Sequence, residues 1–536
     1  MNLAPDRLIA VINVMTAALG ISFPLHLGAG GQSTVPGRDL FADGAVGRIR
    51  LEILAQGLES LRSDPRQYVR ATLREGTNVF QDIAVRLKGS SSFRRLDDKP
   101  AFTVNCAHFS ARQRFHGLSK IHLNNSAEDP SYLNEKLGSE LFRAAGVPAP
   151  RASHAWVELN GRKLGLYVLK EGFAEEFLAQ HFQRTDGNLY EAEAERASDV
   201  TQPLKRNSGS GNPDGSDLQR LAAAAQEPDA SRRWTALGDV LDMDRFLSFM
   251  TTEVLSGHRD GYCLARNNFR LYHDPVSDKF VFLPDGMDQL FGRPDFPVQP
   301  HMAGLVAKAI MEIPAGRRAY RERLTNLLTN SFTIEALTNR VREWSAAMAP
   351  NLTRAEARMF QREATDLCER IRQRVLDVSR QLATPEPALV QFQNSSAGLG
   401  GWIPVDAAAD AKLEKTVSSG RPALHIQAGS RAVASWRTKA WLEAGRYRFE
   451  GLARTAGVKP AASGRNHGAS LVVWGRKTSG TRMLAGDSDW TKLQVEFEVS
   501  ERETQVEFVC LLRGGEGNAW FDVDSLQLVR LEPKDE

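Results

Sequence analysis

Three short stretches of this 536-residue chain gather side chains that could do chemistry together: His258-Arg-Asp260, Asn267-Asn268 and Pro284-Asp-Gly-Met-Asp288. Carboxylates and an amide in that order suit phosphoryl transfer. One carboxylate orients an attacking hydroxyl, while an amide oxygen and a second carboxylate hold a divalent cation on nucleotide phosphates. Taken singly, Asp260-Gly261 and Asp285-Gly286 are ordinary turn dipeptides. Their order along the chain is what points to a site.

Protein kinases set out the same groups as H-R-D-x-x-x-x-N and then D-F-G. Two departures stand out. Asp260 and Asn267 are seven positions apart (267 − 260), where the kinase order has five, and Asp285 is followed by Gly286 rather than Phe. Asn267 and Asn268 are both open as the amide ligand. The elements around them must bring the groups together. Asn268–His273 and Lys279–Leu283 read as strands of a hairpin turning through Asp274-Pro275. An antiparallel pair would place the asparagines beside Asp285.

A second constellation lies upstream. Arg86-Leu-Lys-Gly-Ser-Ser-Ser-Phe93 follows a strand pattern over Ile83–Leu87. Its small residues, Ser90 and Ser91 among them, let backbone N–H groups approach an anion. No Walker sequence is present. Lys99 opens the next strand, Ala101–Phe109, and is placed to reach phosphates, with Glu135 on the following helix as its partner. A plain hairpin with a serine turn and a surface lysine accounts for the same residues.

The rest of the chain supplies scaffold. Ser119–Asn124 reads as a strand, and a helix runs to Ala145, capped from Asp129 or Ser131 and ended by Gly146 and Pro148. His154–Leu159 and Lys163–Leu169 form a hairpin through Asn160-Gly161. Helices are expected over Phe173–Phe182, 217–257 and 300–382, with 201–216 an exposed loop. The apolar run Leu8–Leu27 fits a signal peptide or an N-terminal anchor over 1–30. A Gly-rich linker follows over 31–48. A net charge of +3 with pI near 8.6 does not suggest a nucleic-acid binder. The arginines 317, 318, 321 and 323 read as a solvated helix face. Cys106, Cys263, Cys368 and Cys510 are too scattered for a zinc site or a disulfide framework.

Read in order, these segments resemble the CotH (spore-coat protein H) kinase-like family. The resemblance rests on Val85-Arg-Leu-Lys-Gly-Ser-Ser-Ser92 with Lys99-Pro100, on Leu118-Ser-Lys-Ile-His-Leu-Asn-Asn125, and on Leu141-Phe-Arg-Ala-Ala-Gly-Val-Pro148. It continues through Asn160-Gly161, Gly165-Leu-Tyr167, Glu171 and Gly187-Asn-Leu-Tyr190. Asp260-Gly261, Asn267-Asn-Phe-Arg-Leu-Tyr272, Pro284-Asp-Gly-Met-Asp288 and Phe291-Gly292 complete it. It implies an α+β chain whose domain over 49–383 is an atypical minimal protein-kinase-like fold. That fold would bind ATP with Mg or Mn and phosphorylate Ser or Thr of a protein substrate. By position, Asp260 would be the catalytic-loop aspartate, and Asn267 or Asn268 with Asp285 and Asp288 would ligate metal. Lys99 would meet phosphates, or Lys88 if the turn is placed differently, with Ser90 and Ser91 in that turn, and Glu171 would border the adenine pocket. Two positions depart from the family: Lys88 stands where Arg is common, and Pro284-Asp285-Gly286 where Pro-Trp-Asp is common. The second shifts the acidic pair and leaves open which aspartate ligates metal.

After a proline-bearing linker at 384–391, the helical pattern stops. Alternating stretches at 447–452, 470–474, 493–499, 506–511 and 520–528 indicate an all-β jelly-roll sandwich over 392–536. It carries Trp402, Trp436, Trp441, Trp474, Trp490 and Trp520. These either stack on the sugars of a polysaccharide, as in a carbohydrate-binding module, or fill the sandwich core. The chain as a whole is expected to be secreted, periplasmic or at the cell surface, meeting a membrane only through its N-terminal segment. A decayed kinase scaffold in a non-catalytic surface protein is the competing reading, and a transferase acting on a small molecule or glycan is a third.

Overall fold

Period-two alternation builds the first unit. In β3 (Asn78–Lys88), β4 (Ala101–Asn105), β5 (Lys120–Asn124) and β7 (Arg162–Glu171), one face carries Val85, Leu87, Phe102, Val104, Ile121, Leu123, Tyr167 and Leu169. These pack into a single core. With β1 (Val46–Ile53), β2 (Val69–Glu75) and β6 (Ala152–Leu159) they close a barrel in the order β1-β2-β3-β4-β5-β7-β6. All pairs are antiparallel except β1 with β6. The opposite parity then faces outward: Arg86 and Lys88, Thr103, His122 and Asn124, Val168 and Lys170. That outer face is one wall of the site. The barrel also carries α1 (Ala55–Ser63) and α2 (Asn134–Ala144). Asp129 accepts from the Ser131 and Asn134 N–H groups just before α2, and Gly146 takes φ +82° just after it.

The computed structural model describes residues 35–192, 198–211, 214–383, 389–405, 411–429, 433–460, 467–480, 482–499, 504–513 and 515–532. The expected export segment at 1–30 and most of the linker at 384–391 lie outside these. Residues 35–45 correct the expected linker over 31–48. Leu40 is buried there, Gly37 donates to the His116 carbonyl at 2.7 Å, and Asp43 pairs with Arg340 at 3.0 Å.

The second unit is mainly helical. After α3 (Glu175–His181), a four-stranded sheet forms from β8 (Leu189–Glu191), β9 (Lys205–Ser208), β10 (Phe269–Asp274) and β11 (Lys279–Pro284), in the order β11-β10-β8-β9. β9 falls within the stretch expected to be only loop. Three helices precede the β10–β11 hairpin: α4 (Ser216–Gln226), α5 (Ala230–Val240) and α6 (Met243–Ser256). A single turn, α7 (Tyr262–Ala265), separates α6 from β10. Helices α8 (Leu305–Met311), α9 (Pro314–Asn330), α10 (Ile334–Met348) and α11 (Arg354–Ala383) complete it. Their apolar faces share one core with α2 and α6. The arginine-rich face of α9 is tied down as well as solvated: Arg323 pairs with Asp244, and Arg317 donates to the Met311 carbonyl.

The C-terminal unit is β-rich. Two antiparallel sheets share a core that includes Trp402, Trp436, Tyr447, Phe449, Phe497, Phe508 and Phe521. The larger sheet is built around Gly445–Pro460, Gly486–Val499 and Gly515–Asp522; the smaller contains Val433–Leu442, Thr504–Arg513 and Gly468–Val473. The stretch expected as one strand over 520–528 is broken by a turn at Val523–Ser525. All four cysteines are free, and three are buried.

Candidate active site

A cleft of about 570 Å³ opens between the outer face of the barrel and the helical unit. Lys88, Ser90, Ser91, Glu135, Asp260, Asn267, Asn268, Asp285 and Asp288 all line it. The β10–β11 register explains why the acidic stretches meet. Phe269 pairs with Pro284, so the next residues outward are neighbours, and the Asp285 N–H donates to the Asn268 carbonyl at 2.9 Å. Gly286 takes φ +54°, and a Cβ there would sit 2.5 Å from Asn268 Oδ1. Only glycine permits both the turn and that approach. Asp260 is then fixed from two sides: Asn267 Nδ2 donates to Oδ1 at 3.1 Å and Asn268 Nδ2 to Oδ2 at 2.7 Å. The buried His258 donates from Nε2 to the Gly286 carbonyl at 3.1 Å, tying the two acidic segments together.

Against the cleft lining lies a charge cluster whose cations Lys170 and Arg270 sequence reading missed. Lys170, only 1 % exposed, lies 2.5 Å from both Glu135 Oε1 and Asp285 Oδ1. Burial pushes the Lys170 ammonium down, but Asp285 and Glu135 outweigh it and raise it above its ordinary range. Burial pushes the Asp285 carboxyl up, but Lys170, Arg270 and Lys88 hold it far below the usual carboxylate range. Arg270 adds a second cation, 3.3 Å from Asp285 and 2.7 Å from Glu191. Lys88 donates to Asn124 Oδ1 at 2.8 Å, and burial draws its ammonium down to about 8 against the pull of Asp285. The signal for Lys170 was present: it has the parity of Val168, opposite to the core residues Tyr167 and Leu169.

Two expected residues fall elsewhere. Lys99 precedes β4, outside its alternation. It donates to the Tyr132 hydroxyl at 2.7 Å and lies over the Tyr132 and Tyr167 rings. It does not line the cleft, and Glu135 pairs with Lys170 in its place. Glu171 has the parity of the barrel core. Its carboxylate grips Arg151 at 2.6 Å and accepts from Gln180 at 2.9 Å, away from the cleft. The tryptophans of the β-rich unit divide. Trp402 and Trp436 are buried in the core, while Trp474 is 57 % exposed beside Arg437.

Among the described residues, no three His, Cys, Asp or Glu side chains form a ready-made metal cage. No helix among them is long and apolar enough to cross a membrane.

Residues 85–382 match the CotH kinase protein family. The inner spore coat protein H of Bacillus subtilis (strain 168) is 24 % identical over 318 residues, covering 55 % of this chain and 85 % of that protein. Invasin CotH2 of Rhizopus delemar is 25 % identical over 264 residues, covering 43 % of this chain and 44 % of the invasin. The chain thus spans less than half the length of that invasin. Among solved structures, the Helicobacter pylori proinflammatory kinase CtkA covers 59 % of this chain and 94 % of its own at 7 % identity and TM-score 0.23. TmCBM61, solved in complex with β-1,4-galactotriose, covers 27 % of this chain and all of its own at 13 % identity and TM-score 0.19. Likenesses that faint do not fix a fold. The match over 85–382 takes in more than half of the sequence and all of the cleft lining but Arg66: the chain belongs to the CotH kinase protein family.

Proposed function

We propose that the cleft binds ATP with Mg²⁺ or Mn²⁺ and transfers its γ-phosphoryl group to a Ser or Thr hydroxyl of a protein substrate, on an atypical minimal kinase-like fold. The observation that carries this reading is Lys170 joining Glu135 to Asp285, with Asp260 held by two asparagines in the same cleft. Burying a charge cluster is costly, and a function would account for its retention. The cleft walls also present donors that lack acceptors. The Nε atoms of Arg86 and Arg270 are buried without a hydrogen-bond partner. Phosphate oxygens would satisfy them.

The donor set fits a divalent cation. Burial and the nearby Glu135 and Glu128 push the Asp288 carboxyl up to about 7, and no cation among the described residues pairs with it. A nucleotide-bound Mg²⁺ needs only one or two carboxylates, because phosphates and water fill its other positions. Asp285, Asp288 and the amide oxygen of Asn267 or Asn268 would hold it. The cation would neutralise charge on the phosphates.

Asp260 accepts the proton of the attacking hydroxyl, whose oxygen forms a bond to the γ-phosphorus. The bond from that phosphorus to the β,γ-bridging oxygen breaks, and ADP leaves. Lys170, Lys88, Arg270 and the backbone of Ser90 and Ser91 hold the phosphates. The relatives named for a spore coat and as an invasin support a coat or surface location for this chain. The β-rich unit, read as a jelly roll, would meet polysaccharide through Trp474, because Trp402 and Trp436 are committed to the core.

The test is incubation of the purified chain with γ-labelled ATP and Mg²⁺ or Mn²⁺. Label should enter the protein itself or a general Ser/Thr acceptor, and Asp260→Ala should abolish it. Equal labelling by wild type and Asp260→Ala would end the kinase assignment.

A further inference from the structure

The loop that presents Asp260 is held by a carboxylate that the transfer step does not use. Glu253 lies in the last turn of α6 and is 0 % exposed. Oε1 accepts the Tyr262 N–H and Oε2 the Cys263 N–H, each at 2.9 Å. Its own carbonyl accepts the His258 N–H at 2.9 Å. One residue therefore grips both sides of Asp260, at positions 258 and 262–263.

Gly261 shows what the arrangement demands. Its φ of −82° and ψ of −178° are open to any residue. A Cβ there would nevertheless lie 2.3 Å from Glu253 Oε1 and 2.5 Å from Cδ. The glycine is required by the carboxylate, not by the backbone. The short turn of α7 offers two N–H groups with no intrahelical partner, and Glu253 supplies an oxygen for each.

We propose that Glu253 is a positioning residue for phosphoryl transfer: by fixing the Tyr262 and Cys263 amides it sets where the Asp260 carboxylate meets the acceptor hydroxyl. This rests on the cleft being a phosphotransferase site. Glu253→Gln turns one acceptor into an NH₂ group facing an N–H donor. Gly261→Ala keeps the carboxylate but displaces it.

The experiment is steady-state phosphoryl transfer from Mg-ATP by the full chain as wild type, as each single variant and as the double variant. Displacing a reacting group by about 1 Å costs on the order of 10²-fold, so kcat should fall by about that factor in both single variants. KM for ATP should stay within about twofold, since nucleotide binding is not what Glu253 serves. The double variant should be no slower than the slower single one, because both break the same contact. Wild-type kcat in either single variant, or a rise in KM with kcat kept, would overturn the proposal. If Glu253→Gln does not fold, Gly261→Ala decides alone. If the wild type transfers no phosphoryl group, the proposed function falls on its own account. Amide hydrogen exchange then judges the clamp: faster exchange at Tyr262 and Cys263 in Gly261→Ala upholds it, and unchanged exchange removes it.

Discussion

The cleft and the β-rich unit differ in where they keep the cations that answer their buried carboxylates. In the cleft, the cations Lys170 and Arg270 are themselves drawn into the interior with Glu135, beside the half-buried Glu191 and Asp285, and Arg86 and Arg270 keep orphaned donors. In the β-rich unit, the buried carboxylates are answered by cations that stay exposed. Glu450 pairs with Lys492 at 2.9 Å, and Asp522 with Arg421 at 2.7 Å. Its shared core is aromatic and aliphatic. One region spends stability on charges that wait for a ligand; the other is arranged for packing. The difference locates the chemistry without reference to any relative.

Several variants would break or sharpen that contrast. The largest effect is expected from Asp285→Asn. It removes the charge that meets Lys170 and Arg270, and removal of a central catalytic charge lowers phosphoryl transfer by about 10³-fold; a labelled-ATP assay reads it. Lys170→Ala strands the buried Glu135 as an unpaired carboxylate and leaves Asp285 to Arg270 alone. Breaking a buried pair costs about 4 kcal/mol, read as a fall in the denaturant midpoint. Loss of less than about 1 kcal/mol would mean that the cluster is hydrated as a surface pair is, and the contrast would fail. In the β-rich unit, Trp402→Ala should cost about 3 kcal/mol by leaving a core cavity while phosphoryl transfer is kept.

A smaller effect comes from Glu253. Burial pushes its carboxyl from 4.5 up to about 8, although the Cys263 and Tyr262 amides oppose this. The folded chain then holds the proton longer than the unfolded one. The stability so gained is full below the unfolded value of 4.5 and is lost as pH rises through about 8. Glu253→Gln does not titrate, so the thermal midpoint of the wild type should fall relative to that variant between pH 5 and pH 8, roughly the window those two values bracket. Parallel pH curves would refute the raised value. The smallest effect is Trp474→Ala, an exposed position where stability should change by less than about 0.5 kcal/mol. Any polysaccharide retention on an affinity gel should nevertheless be lost.

Much of the site was legible because hairpins bring sequence neighbours of their ends together. Asp274-Pro275 set the turn, and the alternation of Phe269–Asp274 set the register that joins Asn268 to Asp285. Val85-Arg-Leu-Lys88 likewise announced which side chains leave the barrel core. Lys170 was harder, since its partners lie 35 and 115 positions away (170 − 135 and 285 − 170), and no local pattern records such a pairing. Lys99 misled because a lysine before a strand has no parity to orient it. Glu171 misled because adjacency to the site in sequence is, within a strand, adjacency to the opposite face. Glu253 was invisible: a carboxylate in an otherwise buried helix turn gives no sign of which backbone it caps.

The most direct measurement is a crystal structure of the full chain with Mn²⁺ and a non-hydrolysable ATP analogue, read by the anomalous signal of the metal. The account predicts manganese coordinated by Asp285 and by Asn267 or Asn268, with the triphosphate against Lys88 and the Ser90–Ser91 turn and its terminal phosphate facing Asp260. Nucleotide bound elsewhere, or manganese that does not touch Asp285, would contradict it.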